Sequence, residues 1–130
     1  MGRTVGIDLA SIEAVEESIR VHSERYLGRV FTTTELDDCR QPDGGYDAGR
    51  LAARMAAKEA VLKVLRVADE AIPWRAIGVR SDAGGRPVVE LSGPAQQLAR
   101  MRGIESLEVS LTSAAPFAGA VVVAEVRGEP

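Results

Sequence analysis

The sequence predicts an α+β fold in which an antiparallel sheet packs against a long central helix. A stretch rich in alanine and leucine, residues 50–67, has the composition of a helix. Turn-forming residues at 82–87 and 113–116 each separate two short segments rich in β-branched residues, which is typical of hairpins. Since 130 residues suffice for one hydrophobic core but not for two, we expect a single domain over residues 1–130.

The central helix carries the first candidate functional residues. Residues 50–67 contain neither glycine nor proline, and their charged side chains alternate with apolar ones at helical spacing. Glu59 lies at the edge of the apolar stripe, and Lys63 follows one turn later. The pair is either an exposed i,i+4 ion pair, which is common on helices, or part of a site. The apolar stripe itself consists of Leu51, Met55, Leu62 and Leu65.

The N-terminal segment predicts a buried strand, residues 4–9, that ends on Asp8. Ser11 is a suitable N-cap for a helix that begins directly afterwards. Glu13 would lie in the first turn of that helix, where the helix dipole favours a negative charge. Asp8 has two interpretations, since a carboxylate between a strand and a helix either caps the helix or binds a metal ion.

The remaining elements follow from turn and capping signals. Thr32 and Glu35 have capping-box spacing and predict a short helix. The turn that contains Gly85 and Arg86 either shapes a hairpin or presents its amides and Arg86 to a ligand. The predicted strands are 74–80, 88–91, 107–112 and 117–125, with a helix at 95–101 between the second and third.

Composition excludes several classes of function. A net charge of −3 at pH 7 argues against a nucleic-acid partner. Cys39 is the only cysteine and His22 the only histidine, which excludes an internal disulfide, a Cys/His zinc site and a histidine-based triad. No apolar run resembles a signal peptide or a membrane span, so we expect a cytoplasmic protein without a membrane partner.

Three segments in a fixed order carry a resemblance to a known family. They resemble the 4′-phosphopantetheinyl transferases of the small, holo-[acyl-carrier-protein] synthase type, and the resemblance covers nearly the whole chain. Two shorter segments, Phe31-Thr32-x-x-Glu35-Leu36 and Gly85-Arg86-Pro87, are also similar to that family. The three main segments are Gly6-Ile7-Asp8-Leu9, Arg54-Met55-Ala56-Ala57-Lys58-Glu59-Ala60-x-x-Lys63 and Ser110-Leu111-Thr112.

The resemblance implies the fold of that family and transfer of the phosphopantetheine arm of coenzyme A to a serine of an acyl carrier protein. It also implies a requirement for Mg²⁺ and a homotrimer with active sites between subunits. Carried over, Asp8 and Glu59 bind the magnesium, Lys63 lies beside the pyrophosphate, and Glu59 and Lys63 are catalytic. Either Glu59 or a water at the metal takes the serine proton. The implied coenzyme-binding residues are Arg54, Lys63, Gly85, Arg86, Pro87 and Ser113.

Two positions depart from the family pattern. The family usually has Ser-x-Thr-His at the last hairpin, and here the fourth position is Ser113, which cannot carry the positive charge of a histidine. The family commonly places a carrier-docking arginine in the first helix, and here the matching residue is Ala14. Its neighbours Glu13, Glu16 and Glu17 would repel an acidic carrier protein.

These departures leave three functional hypotheses. The first is a holo-[acyl-carrier-protein] synthase-like transferase that depends on Mg²⁺. The second is a paralogue with the same fold that has lost or changed the reaction, and that binds coenzyme A or a carrier protein or catalyses another biosynthetic step. The third, a structural module, leaves the order of Asp8, Glu59 and Lys63 unexplained.

Overall fold

The computed structural model describes residues 2–128. The first half of the chain is mainly helical and the second half mainly extended. A single 3-10 turn, Trp74–Ala76, precedes the second strand. In chain order the elements are β1 (Gly2–Ser11), α1 (Ile12–Val30), α2 (Thr33–Asp38), α3 (Ala48–Leu65), β2 (Ile77–Ser81), β3 (Pro87–Leu91), α4 (Gly93–Met101), β4 (Ile104–Ala114) and β5 (Phe117–Val126).

Two antiparallel sheets form the β layer. The larger has the strand order β1-β5-β4, so the first and last strands of the chain pair with each other. The smaller is the β2–β3 hairpin. Both sheets pack against α3, and the predicted α+β class with an antiparallel sheet on a central helix is confirmed.

Helix α3 is buried on most of its circumference, because the alanines beside the apolar stripe are buried as well. Its alanines allow the larger sheet to approach closely. Gly6 of β1 lies directly against the carbonyl oxygen of Ala60, where a Cβ atom would collide. This close approach brings the end of β1 alongside Glu59 and Lys63.

The buried side chain of Lys58 attaches α3 to α2 and to the start of the smaller sheet. Lys58 is fully buried, and its Nζ lies 2.8 Å from Oε1 of Glu35 and 3.2 Å from the carbonyl oxygen of Trp74. The other carboxylate oxygen of Glu35 accepts a hydrogen bond from the amide of Val79 in β2. Burial lowers the pKa of Lys58, while the charge of Glu35 opposes this effect. The pair fixes α3 relative to α2 and β2.

Several boundaries differ from the sequence predictions. The strand predicted over 74–80 begins only at Ile77, because Trp74–Ala76 form a 3-10 turn after Pro73. The central helix, predicted over 50–67, spans Ala48–Leu65, because Asp47 accepts a hydrogen bond from the amide of Arg50 and caps its start. It ends at Arg66, which adopts the left-handed conformation.

The larger sheet leaves one apolar face uncovered. Val5, Ile7 and Leu9 of β1 point away from α3 and are 61%, 65% and 66% exposed. Val121 and Val123 of β5 pair with Ile7 and Val5 and extend this surface, because directly paired residues share a face. We refer to these five residues as the outer face.

Within the described residues, none of the helices combines the length and the apolar character needed to cross a bilayer.

Candidate active site

Asp8 and Lys63 meet although they lie far apart in the sequence. Lys63 Nζ donates a hydrogen bond of 2.9 Å to Oδ1 of Asp8 and another of 2.9 Å to the carbonyl oxygen of Ile7. The Asp8 side chain is 16% exposed, whereas the Lys63 side chain is 57% exposed. Lys63 therefore reaches the partly buried carboxylate of Asp8 from the solvent side. Asp8 belongs to β1 and does not cap α1, because the cap of α1 is Ser11.

The carboxyl groups of Asp8 and Glu59 are also neighbours. Their hydrogen bond, then burial, then the negative charge of Asp8 raise the pKa of Glu59 to about 7, while Lys63 acts in the opposite direction. Burial alone would raise the pKa of Asp8, but hydrogen bonds from Glu59 and Lys63 and the charge of Lys63 together lower it. The two carboxyl groups behave as a pair that shares one proton near neutral pH. We refer to Asp8, Glu59 and Lys63 as the carboxylate centre.

The residues of the carboxylate centre fit a small divalent cation. When both carboxyl groups are ionised, Oδ2 of Asp8 is buried and has no hydrogen-bond donor, so a cation would satisfy it. No group of three or more Asp, Glu, His or Cys side chains suited to a metal ion occurs within residues 2–128. Two carboxylates are nevertheless typical of Mg²⁺, which keeps several waters and takes further oxygens from substrate phosphates.

A cavity of about 280 Å³ lies between the N-terminal half of α3, the β2–β3 turn and the end of β4. Arg50, Arg54 and Ser113 line it together with Gly85 and Pro87, and we refer to it as the arginine cavity. Leu111 and Thr112 line both this cavity and an adjoining one that borders Asp8. The arginine cavity and the carboxylate centre both use side chains of α3, Arg50 and Arg54 in the cavity and Glu59 and Lys63 in the centre.

The guanidinium of Arg54 is held inside the protein. It donates hydrogen bonds to the carbonyl oxygen of Val79 at 3.2 Å and to Oγ of Ser81 at 3.0 Å, and the residue is 3% exposed. One of its nitrogens also lies 4.0 Å from Oδ2 of Asp38. Arg54 thus anchors α3 to β2 and at the same time places a fixed positive charge in the wall of the arginine cavity.

The structure brings most of the sequence-predicted site residues into two groups. Asp8, Glu59 and Lys63 form the carboxylate centre, and Arg54, Gly85, Pro87 and Ser113 line the arginine cavity. Arg86 is the exception, because it borders cavities between β3 and β4 instead of the arginine cavity.

Sequence reasoning missed two residues. Arg50 lines the arginine cavity, and its position one turn before Arg54 was the available signal. Lys58 is buried against Glu35, and no sequence signal distinguished it from an exposed lysine of α3.

The surface of α1 has the charge that the sequence indicates. Ala14 is exposed, and so are the neighbouring Glu13, Glu16 and Glu17. The start of α1 contacts the turn between β4 and β5, since the amide of Ile12 donates to the carbonyl oxygen of Pro116 at 3.1 Å. This acidic surface therefore begins beside the turn between β4 and β5.

Comparison with known proteins identifies the family. The model of the 4′-phosphopantetheinyl transferase superfamily matches residues 4–118. The holo-[acyl-carrier-protein] synthase of Moorella thermoacetica is 42% identical over 122 residues, which cover 92% of this chain and 91% of that protein. The sequence resemblance is thereby confirmed.

Solved structures agree with this assignment. Helicobacter pylori holo-[acyl-carrier-protein] synthase, crystallised in complex with coenzyme A, has a TM-score of 0.80 and 27% identity over 94% of this chain and 100% of that one. Mycobacterium tuberculosis acyl carrier protein synthase has a TM-score of 0.69 and 36% identity over 95% of this chain and 96% of that one. The predicted fold is confirmed, and the chain belongs to the 4′-phosphopantetheinyl transferase superfamily of enzymes.

Proposed function

We propose that this chain transfers 4′-phosphopantetheine from coenzyme A to a serine of an acyl carrier protein in a reaction that depends on Mg²⁺. The observation that carries the proposal is the convergence of Asp8, Glu59 and Lys63 beside a cavity lined by arginines. The holo-[acyl-carrier-protein] synthases named above support the substrates, and the Helicobacter pylori relative binds coenzyme A.

In this reaction the serine oxygen of the carrier forms a bond to the phosphorus that bears the pantetheine arm. The bond from that phosphorus to the oxygen bridging the diphosphate breaks, and adenosine 3′,5′-bisphosphate leaves. Asp8 and Glu59 would hold the magnesium, which when bound stabilises the negative charge on the diphosphate. Lys63 reaches the same place from α3 and neutralises charge on the departing phosphate. The serine proton goes to Glu59 or to a water.

The arginine cavity would take the nucleotide part of coenzyme A. Arg54 supplies a fixed positive charge, and Ser113 and the turn residues Gly85 and Pro87 complete the walls. Arg86 would contribute from a neighbouring subunit, since it borders a cavity that also includes Val121 and Val123 of the outer face.

We further propose that the outer face is the contact between subunits of a homotrimer. Exposed, contiguous apolar surface of this kind is typical of protein interfaces. Ile7→Lys should convert the assembly to monomers, because it places a charge at the centre of the outer face. Val21→Lys is the matched control, since Val21 is 54% exposed but lies on α1. Sedimentation velocity reports the mass, and an Ile7→Lys variant that still sediments as a trimer contradicts the proposed contact.

The second candidate function is that of a paralogue that keeps the fold and has lost or changed the reaction. Ser113 and the exposed glutamates around Ala14 favour it, because both remove positive charge where the family resemblance implies it. Such a protein would bind coenzyme A or a carrier protein without transferring the arm.

One assay tests the proposed function against this alternative. The protein is incubated with coenzyme A, Mg²⁺ and several apo carrier proteins, and intact-mass spectrometry reports the added arm. Transfer that Asp8→Asn and Glu59→Gln abolish, and that the exposed-carboxylate control Glu90→Gln retains, supports the assignment. Binding of Mn²⁺, followed by electron paramagnetic resonance, should weaken in the same two variants, and this measurement does not depend on enzyme activity.

Two other results would contradict the proposed function or the proposed site. No mass gain with any carrier, together with activity in a Ser113→His and Ala14→Arg double variant, would establish the paralogue. Transfer that persists in Asp8→Ala and Glu59→Ala would refute the carboxylate centre as the site of the reaction.

A further inference from the structure

The outer edge of β2, on the side away from β3, is bonded by charged side chains instead of by another strand. The amide of Val79 donates to Oε2 of Glu35 at 2.8 Å, and the amide of Ser81 donates to Oδ2 of Asp38 at 2.8 Å. On the same edge, Nε of Arg54 donates to the carbonyl oxygen of Val79 at 3.2 Å. Two carboxylates of α2 and a cation of α3 therefore take the place of a neighbouring strand.

Asp38, Ser81 and Arg54 form a closed network at this edge. The oxygen of Asp38 that accepts from the amide of Ser81 also lies 4.0 Å from Nη2 of Arg54. The same Nη2 donates to Oγ of Ser81 at 3.0 Å. Because the side chains of Arg54 and Asp38 are only 4% and 22% exposed, water competes weakly for these contacts. A change at Asp38 is therefore transmitted to Ser81 and Arg54.

The network extends to the arginine cavity although Asp38 itself does not line it. Arg54 and Ser81 are both wall residues of that cavity. Two nitrogens of the Arg54 guanidinium donate to backbone carbonyl oxygens, of Val79 at 3.2 Å and of Arg50 at 3.4 Å, and these acceptors are fixed by β2 and α3. The third nitrogen, Nη2, donates to a side-chain hydroxyl. The position of that hydroxyl depends on the backbone of Ser81, which Asp38 holds.

We propose that Asp38 is a positioning residue of the arginine cavity, which acts on the bound nucleotide through Ser81 and Arg54 without touching it; this rests on the proposed function. A guanidinium is a rigid planar fork, so its strength as a partner for an anion depends on its orientation. The hydrogen bond from Ser81 to Asp38 keeps the last acceptor of the fork in place. Asp38 therefore contributes to nucleotide affinity by geometry, although its own charge is of the wrong sign to attract the nucleotide.

Isothermal titration with coenzyme A tests the proposal on variants of α2. Asp38→Ala removes both the acceptor and the charge, and Asp38→Asn removes the charge but keeps an acceptor oxygen for the amide of Ser81. Asp37→Ala is the matched control, because Asp37 is the neighbouring, exposed carboxylate of the same helix. Circular dichroism establishes that each variant is folded. We expect Asp38→Ala to weaken coenzyme A binding about three- to tenfold, as for loss of one hydrogen bond, and Asp38→Asn and Asp37→Ala to bind like the wild type.

Two further measurements distinguish positioning from a general loss of structure. Since Asp38 acts through Arg54, Asp38→Ala should not weaken coenzyme A binding further in an Arg54→Gln background. The Nε–H signal of Arg54 in heteronuclear NMR gives a readout that needs neither ligand nor a folded Arg54 variant. That proton should exchange slowly with solvent in the wild type and in Asp38→Asn, and faster in Asp38→Ala.

The outcomes that contradict the inference are distinct from failure of the proposed function. Equal coenzyme A affinity in the wild type and Asp38→Ala would overturn the inference, and so would an additive loss in the Arg54→Gln background. Tighter binding in both Asp38 variants would also overturn it, because Asp38 would then act only by weakening the positive charge of Arg54. A wild-type chain that binds no coenzyme A would refute the proposed function. Unchanged exchange of the Arg54 Nε–H in Asp38→Ala would refute the positioning role whether or not the coenzyme binds.

Discussion

The buried Lys58–Glu35 pair gives the strongest stability prediction. Lys58→Met removes an ammonium group whose neighbours are the Glu35 carboxylate at 2.8 Å and two backbone carbonyl oxygens. The carboxylate then stays buried with only the amides of Thr32 and Val79 as donors, each at 2.8 Å. Breaking a buried pair in this way costs about 3–5 kcal/mol, because one charge is left uncompensated.

That cost is large relative to the whole stability of the domain. Proteins of this size unfold with about 5–15 kcal/mol. A loss of about 3–5 kcal/mol should lower the thermal midpoint by roughly 10–20 °C for a chain of this length. For the Lys58→Met variant, calorimetry measures the thermal midpoint and urea unfolding measures the free energy of unfolding.

A surface ion pair provides the control. Arg80 and Glu90 lie 3.0 Å apart across the β2–β3 hairpin, and their side chains are 37% and 60% exposed. Arg80→Met should therefore change the free energy of unfolding by only about 0–1 kcal/mol. The double variant Glu35→Gln/Lys58→Met should lose less free energy of unfolding than the sum of the losses of its two single variants, because the double variant leaves no unpaired buried charge. If Lys58→Met is no less stable than Arg80→Met, the reasoning about the buried pair is wrong.

Three smaller changes test other contacts. Gly6→Ala should destabilise the fold by about 1–3 kcal/mol, because its Cβ would meet the carbonyl oxygen of Ala60. Gly2→Ala should leave the free energy of unfolding in urea unchanged, because the space around Gly2 is open. Ser11→Ala should cost about 1 kcal/mol in the same measurement, because Ser11 caps α1, whereas Ser92→Ala should cost little, since Ser92 makes no side-chain capping bond. Burial raises the pKa of the Cys39 thiol to about 11, so iodoacetamide at pH 8 should alkylate it only after unfolding in urea; alkylation of the native protein at the unfolded rate would contradict its burial.

The local sequence predicted the elements well where the signal is itself local. The capping box of Thr32 and Glu35 forms as expected, and both hairpins form at the predicted turns. The start of the second strand was predicted wrongly, because β propensity around Trp74 does not reveal the 3-10 turn after Pro73. Glu35 was predicted only as a capping residue, and its second role as the partner of Lys58 depends on contacts between α2, α3 and β2.

The candidate site was predictable as a set of residue types but not as a geometry. The motifs that contain Asp8, Glu59 and Lys63 indicated the family, because each motif is a short continuous run of residues and the motifs follow one another in a fixed order. Arg54 was predicted only as a coenzyme-binding residue, and no local pattern indicated that Val79 and Ser81 hold its guanidinium. Arg86 and Arg54 appeared equivalent in the sequence, and the fold places them in different cavities.

The amino-acid sequence by itself determined the helices, the strands and the identities of the charged side chains, since these depend on neighbouring residues. Only the tertiary structure decided which charges meet. Gly6 allows β1 to approach Ala60, and this contact brings Asp8 to Lys63 and Glu59, while Lys58 is taken out of water on another side of the same helix. The physical reason is that the energy of a charge depends on burial and on its partners, and both are set by residues distant in the chain.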